Sequence, residues 1–370
     1  MPAPILLYVA ISYHGFGHIA QTAPIVNELS QRIPWLQVIV QCSAPARVLQ
    51  NHFTCAFEHL LEAPDISMAM ANSFDVLVDV SYKAYLSLHR EWQARIEREA
   101  LHLHTLRPAL VLANVPYLTL AAAARVGIPA AAVCSLNWAE IFYSYCRGKP
   151  SAELIYRQIH EAYSQASLFL TPKPSMPMSG LGNTCSIGPI ARQGRDRRSE
   201  INERLMLDPN DKLVLIFLGG ITTPLAIADW PRLPGINLLI PGTDLVKRAG
   251  IYTLGEFSSM PHIDAVCSVD ALITKPGYGS FAEAACNAVP VLYVKRGDWP
   301  EESTLVRWLE EQARCLELDR ERLECGKFKD LLEVLRMQAP KLRVEPTGAI
   351  EAADLLEVYL IKKPGSLHAQ

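Results

Sequence analysis

Thr274-Lys-Pro-Gly-Tyr-Gly-Ser-Phe-Ala-Glu-Ala-Ala-Cys-Asn-Ala-Val-Pro-Val-Leu-Tyr-Val294 joins two apolar runs through a glycine turn and a short helical stretch. Residues 271–274 read as a buried strand, and Pro276, Gly277 and Gly279 as a tight turn after it. Residues 280–287 read as a helix and residues 289–294 as the next strand. Strand, turn, helix and strand in that order form a βαβ unit, whose two strands lie parallel. The helix start at Gly279 and Ser280 offers free backbone N–H groups to an anion such as a pyrophosphate. Glu283, one turn further on, is able to accept two hydrogen bonds from a ribose diol; read plainly, it is a solvent-facing acid that suits a helix start.

The same alternation extends over the rest of the chain. Short continuous apolar runs, the mark of buried parallel strands, occur at 5–11, 36–41, 76–80, 109–113, 130–134 and 168–170. Helical stretches lie between them at 18–32, 85–106, 117–126 and 152–166. Residues 172–196 hold eight prolines and glycines and end in the basic run Arg192-Gln-Gly-Arg-Asp-Arg-Arg198, which predicts a linker with a solvated face. Strands resume at 213–218, 237–240, 271–274, 289–294 and 315–318, with helices at 301–312 and 349–361. The expected fold class is α/β, with two doubly wound parallel-sheet, Rossmann-like domains in tandem.

Composition narrows the function. The 370 residues suit about two domains. Half are hydrophobic and the net charge is −3, which speaks against a nucleic-acid groove, so no nucleic-acid partner is expected. Nine cysteines without a CxxC pair read as reduced thiols, and the chain start carries no basic leader, so a cytoplasmic protein is expected. The most apolar region, 109–136, is interrupted by Asn114, Pro116, Arg125 and Pro129 and does not make a membrane span, so membrane contact is at most peripheral.

A second glycine turn lies near the front. Gly15-x-Gly17-x-x-Ala20 follows the first strand and opens a helix, letting the backbone approach a ligand. The next strand ends Val40-Gln41-Cys42-Ser43 with no acid to hold a ribose, which argues against a dinucleotide. His18, in the first helical turn, suits a general base kept neutral by the helix start; the plain alternative is a capping or packing histidine, and His14 reads as structural.

These segments carry a resemblance. Tyr13-His-Gly-Phe-Gly-His-Ile-Ala20, Leu218-Gly-Gly220, Lys275-Pro-Gly-Tyr-Gly-Ser-Phe-Ala-Glu-Ala284 and Val289-Pro-Val-Leu-Tyr-Val-Lys-Arg-Gly-Asp-Trp-Pro-Glu301 resemble GT-B glycosyltransferases of the family 28, peptidoglycan N-acetylglucosaminyltransferase-like type. The resemblance is closer still to the glycosyltransferase-like N-terminal region of plant L-arabinokinases. The resemblance implies an acceptor-side domain over 1–190, a nucleotide-sugar domain over 191–346, and a C-terminal helix over 347–370 packing back on the first, with the two domains facing across a cleft. It implies His18 as base, Gly219 and Gly220 at the phosphates, and Glu283 at the ribose. Asp298, Glu301 and Glu302 would lie near the donor sugar, with Gly15 and Gly17 lining the cleft. The expected donor is a UDP-sugar, and the acceptor is a small metabolite, a lipid or a protein.

The expected reaction is a single displacement with inversion, with no cofactor and no metal, since no DxD pair stands where one would bridge phosphates. The acid groupings Asp208…Asp211 and Glu301-Glu302 read as surface residues. One departure stands out. Where the arabinokinase relatives carry an aspartate this chain has Asn114, and Asp79 or Glu91 would have to supply any missing charge. Two other readings stay open: a non-catalytic nucleotide-sugar-binding protein on the same fold, and a nucleotide-sugar epimerase.

Overall fold

The structure, a computed structural model, describes residues 3–221, 223–242, 248–257 and 260–361. The chain divides into two compact units. The first comprises residues 3–69, 76–190 and 347–361; the second comprises Met70–Asp75 and residues 191–346. Met70–Asp75, placed by the sequence reading in the first domain, thus belongs with the second. Its Ser73 donates to the carbonyls of Leu218 and Ile221 at 2.8 and 3.0 Å, and Arg320 grips Asp75 through both terminal nitrogens at 2.9 Å. Residues 362–370 of the expected C-terminal segment, and Thr222 in the loop after Gly220, lie outside the described residues.

The first unit is built on seven parallel strands: β1 (Ile5–Ile11), β2 (Leu36–Gln41), β3 (Glu58–Leu60), β4 (Leu110–Asn114), β5 (Ala130–Val133), β6 (Leu168–Pro172) and β7 (Thr184–Ile187). Their order is β3-β2-β1-β4-β5-β6-β7. The sheet therefore grows one way from β1 and the other way from β4. Crossover helices cover both faces, so the central strands are buried on each side and read as unbroken apolar runs. β1 and β4 are nearly all buried.

The helix Gly348–Ile361 completes this unit. Its Ala352, Ala353, Leu356 and Leu360 enter the same apolar core as Ile25, Val26 and Leu29 of the helix Gly17–Arg32. Arg32 holds Asp354 at 2.5 Å and Glu357 at 3.3 Å, and Glu351 accepts the backbone N–H of Gly188 at 2.9 Å.

The second unit carries six parallel strands: β8 (Lys212–Ile216), β9 (Ile236–Ile240), β10 (Ile251–Thr253), β11 (Ala271–Thr274), β12 (Val291–Tyr293) and β13 (Cys315–Glu317). Their order, β10-β9-β8-β11-β12-β13, repeats the plan with β8 and β11 at the centre. Among the described residues no helix is long and apolar enough to cross a membrane.

Several sequence expectations are corrected. Residues 76–80 were expected as a strand, but all except the first two belong to the helix Val78–Arg90. Val78, Val80 and Tyr82 alternate as a strand would, yet Ser81, Tyr85, Leu88 and His89 are the buried positions, at helical spacing. The single helix over 85–106 is two, Val78–Arg90 and Trp92–Leu106, broken at Glu91. The stretch read as linker contains β7, paired with β6.

The basic run is a solvated face only in part, at Gln193, Arg195 and Asp196, which are exposed. Arg192 pairs with Glu283 and Arg198 with Asp270, which fastens the segment within the second unit, while Arg197 pairs locally with Glu200.

Leu356 is fully buried in a core assembled from distant parts of the chain. Leu356→Ala is expected to cost about 2–5 kcal/mol in the unfolding transition of the first unit, read by denaturant titration.

Candidate functional site

Each sheet has one place where the direction of winding reverses. Helices after the two central strands leave toward opposite faces there, and a crevice opens beyond the carboxyl ends of the strands. In the first unit that place lies after β1 and β4. Ile11 pairs with Asn114 in register, and Ser12 N–H donates to the Asn114 carbonyl at 2.9 Å. The chain then turns through Gly15, at φ +80°, and enters its helix at Gly17. No heavy atom lies within 4 Å of where a Cβ on Gly17 would sit.

His18 follows on that helix and is 5% exposed. Its Nδ1 lies 2.8 Å from Asn114 Oδ1. The orientation of the amide is set by its other end: Asn114 Nδ2 donates to the His18 carbonyl and to Gln21 Oε1, each at 3.2 Å. Gln21 Nε2 in turn donates to Ser135 Oγ at 3.0 Å. With its nitrogen committed to two carbonyl oxygens, Asn114 presents Oδ1 to the ring, and the ring must carry its hydrogen on Nδ1. Nε2 is then the basic nitrogen, and among the described residues it has no hydrogen-bond partner. Burial lowers the His18 pKa to about 4, against a smaller upward pull from the Asn114 hydrogen bond. The ring is therefore neutral at ordinary pH, chiefly through burial and not through the helix start invoked from sequence.

The proposed substitutes for the missing charge lie elsewhere. Asp79 is exposed and pairs with Lys149 at 2.5 Å, and Glu91 pairs with Arg95 at 3.1 Å. A different carboxyl stands beside this turn. Asp65 Oδ2 accepts from Ser12 Oγ at 2.7 Å, and Ser12 Oγ accepts from Trp138 Nε1 at 3.3 Å. Burial raises the Asp65 pKa to about 7, opposed by the hydrogen bonds from Ser12 and Trp138. The Trp138 ring lies 5.7 Å from that of His18 and 5.5 Å from that of His14. His14 Nδ1 is 3.1 Å from Ser67 Oγ. Sequence reading did not single out Ser12, Gln21, Asp65, Ser135 or Trp138. Ser12 had a signal, since it directly follows the first strand; Asp65 had none.

In the second unit the reversal lies between β8 and β11. Gly219 follows β8 at φ +95°, a left-handed conformation that favours glycine, with Gly220 beside it. Gly277 follows β11 and precedes the helix Tyr278–Cys286 in extended conformation, and no side chain caps the helix start. The region above Gly279 is open, with no atom within 4 Å of a notional Cβ, and Ser280 is part-exposed in the first turn.

Glu283 is only 8% exposed, contrary to a solvent-facing helix acid. Its Oε1 accepts from Arg192 Nε at 3.1 Å, while burial raises its pKa and Arg192 opposes the rise. Among the described residues Oε2 has no hydrogen-bond partner.

Glu301 and Glu302, read as surface acids, are buried at 3% and 6% exposure. Glu302 accepts the backbone N–H groups of Arg296 and Gly297 at 2.7 and 3.1 Å, so it holds the loop after β12 in shape. Glu301 Oε2 accepts from Trp299 Nε1 at 3.3 Å. Asp298, at the tip of this loop, is exposed. Among the described residues no three or more His, Cys, Asp or Glu side chains gather in a way that would hold a metal ion.

No family model matches the chain. It is similar to L-arabinokinase of Arabidopsis thaliana, at 23% identity over 329 residues, which takes in 87% of this chain and 31% of that protein. The chain thus spans less than a third of the length of that relative. Among solved structures it is similar to CalG4, the calicheamicin glycosyltransferase, with TM-score 0.64 and 18% identity over the whole of both chains. It is also similar to the glycotransferase of kitacinnamycin, with TM-score 0.65 and 14% identity over 97% of this chain and all of the other. A UDP-glucosyltransferase from Polygonum tinctorium gives TM-score 0.58 and 14% identity, over 98% of this chain and all of that one. The fold is that of the GT-B glycosyltransferases.

The lowered pKa of His18 has a consequence for stability. The unfolded chain binds a proton at this residue below about pH 6.5, whereas the folded chain resists it until about pH 4. His18 therefore supports the fold fully above pH 6.5, and this support is lost as pH falls toward 4. The loss is on the order of 3 kcal/mol, and a His18→Gln variant, followed by urea unfolding at several pH values, should lack this component.

Proposed function

We propose that the protein is an inverting glycosyltransferase, which moves a sugar from a nucleoside-diphosphate donor, with a UDP-sugar as first choice, to an acceptor held at the first unit. The observation that carries this reading is the hydrogen bond from His18 to Asn114. It leaves Nε2 as an unprotonated, unpartnered nitrogen beside the winding reversal of the first sheet. In the reaction Nε2 takes the acceptor's proton, the acceptor atom bonds to the anomeric carbon, and the bond from that carbon to the diphosphate oxygen breaks. The leaving diphosphate gathers charge, and the N–H groups of Gly279 and Ser280, with the helix behind them, stabilise it. Gly219 and Gly220 let the backbone come close to the phosphates, and Glu283 Oε2 receives a ribose hydroxyl. This scheme needs no metal.

Support comes from the GT-B fold and from relatives whose names specify glycosyl transfer, including a UDP-glucosyltransferase and a glycosyltransferase in complex with dTDP. The family 28 kinship and the placing of Asp298 near the donor sugar rest on the motif resemblance. Asn114 supplies orientation without negative charge, which weakens the imidazole as a base. That single observation favours the second reading, a nucleotide-sugar-binding protein that does not turn over.

The two readings separate on one variant. His18→Ala should bind a nucleoside diphosphate as the wild type does, seen as an equal rise in melting temperature, and lose about 10²–10⁴-fold in transfer rate. If the wild type binds donor but forms no glycoside with any acceptor offered, the catalytic reading fails.

Asn114→Asp tests the positioning. The carboxylate should raise the His18 pKa above its wild-type value of about 4, followed by NMR titration of the imidazole. It should also cost about 1–3 kcal/mol of stability, because the carbonyls of His18 and Gln21 lose their donor.

A further inference from the structure

Lys275 belongs to none of the roles above, yet it stands at the winding reversal of the second sheet. It is the first residue after β11. β11 pairs directly with β8, and Phe217 N–H donates to the Ile273 carbonyl at 2.9 Å, so the turns that leave the two strands start side by side. The Lys275 side chain runs across both turns. A Cβ on Gly219 would lie 3.3 Å from Lys275 Cε and 3.8 Å from Nζ. A Cβ on Gly277 would lie 3.1 Å from Nζ. Glycine at both positions therefore leaves room for this amine, and Nζ sits beside the residue that begins the helix Tyr278–Cys286.

The amine has no hydrogen bond or ion pair among the described residues. The charged groups that act on it are Arg296, Glu301 and Glu302, all from the loop after β12. Each is engaged elsewhere. Arg296 donates to the Pro276 carbonyl at 2.7 Å and lies 4.4 Å from the Trp299 ring centre. Glu302 is spent on two backbone amides, and Glu301 accepts from Trp299. The glycine turns contribute no charge. An amine desolvated beside a guanidinium, with no carboxylate bonded to it, lacks the anion that would stabilise its charged form. Burial, followed by Arg296, lowers its pKa to about 7, with the two glutamates pulling less strongly upward.

We propose that Lys275 Nζ is the counter-charge for an anionic phosphate group seated between the Gly219 and Gly277 turns, and that binding this group draws a proton onto the amine. This inference rests on the reading of the second unit as the nucleotide-binding unit. The geometry supplies three elements at one place: uncapped helix N–H groups, two glycine turns that let a ligand approach, and an unpartnered amine. A diphosphate completes the set, since its oxygens accept from both the amides and the ammonium. No covalent step is involved. At pH 7 the amine, about half neutral beforehand, gains about half a proton from solvent as the anion enters and returns it as the anion leaves.

Isothermal titration calorimetry of the full chain with UDP, GDP, dTDP and ADP tests this. Each titration is run at pH 7 in PIPES and in Tris, whose ionisation enthalpies differ. Lys275→Arg keeps a permanent charge at the same position, so subtracting its proton count from that of the wild type removes the ligand's own titration. The expected result is one nucleotide bound with about half a proton more taken up by the wild type than by K275R, whose affinity stays within a few-fold. Lys275→Met should bind that nucleotide roughly 10–100-fold more weakly, with a melting temperature showing that it is folded. Equal proton counts in wild type and K275R, with K275M binding as tightly as wild type, would overturn the role of Lys275 and leave the nucleotide-binding reading intact. Failure of all four nucleotides to bind the wild type would overturn both.

Discussion

Parallel strands cannot be joined by a tight turn. Each connection must cross the sheet, and right-handed crossovers oblige the chain to cover one face or the other according to the direction in which it winds. Both units of this protein wind outward from a central pair, β1 with β4 and β8 with β11. At those pairs alone the covering helices part. The backbone reaches these points through glycines, and polar side chains there keep solvent access or hydrogen-bond one another. His18, Asn114, Ser12 and Trp138 gather at one reversal; Gly219, Lys275, Gly277 and Ser280 gather at the other. The rest of each unit is an apolar support that holds those few residues in place.

The support was largely legible from sequence because the physics behind it is local. A central parallel strand is buried on both faces, so it must be apolar throughout, and β1, β4 and β11 announce themselves as unbroken runs. Edge strands lack that requirement. β3, β7 and β10 are short, partly exposed and mixed in composition, and none was expected. The alternation at Val78, Val80 and Tyr82 misled because a short segment satisfies a period of two and a period of 3.6 at once. Its burial was decided by neighbours distant in sequence.

The chemistry was legible in part. The glycine turns and His18 stand at fixed offsets from strand ends and were found that way. The partner of His18 was visible only as a departure from a familiar pattern, and its effect on the ring needed the whole network of Gln21, Ser135 and the His18 carbonyl. Charge pairing was least legible. The arginines from 192 to 198 looked solvated because a run of like charge repels itself, yet Arg192 and Arg198 each meet a carboxylate supplied from elsewhere in the second unit, and Arg197 meets one three residues on.

Neither unit is a continuous stretch of chain. The first is left unfinished at Ile190 and resumes only at Thr347; the second borrows Met70–Asp75 from within the first. On the ribosome, the sheet of the first unit is therefore made long before the helix that closes its core, and Leu29 and Ile187 must wait for Leu356 while some 150 intervening residues are added. The last apolar surface of the first unit is covered after the second unit has left the exit tunnel. Order of synthesis and order of completion are thus reversed between the two units, and the unit that carries His18 is the later of the two to be completed.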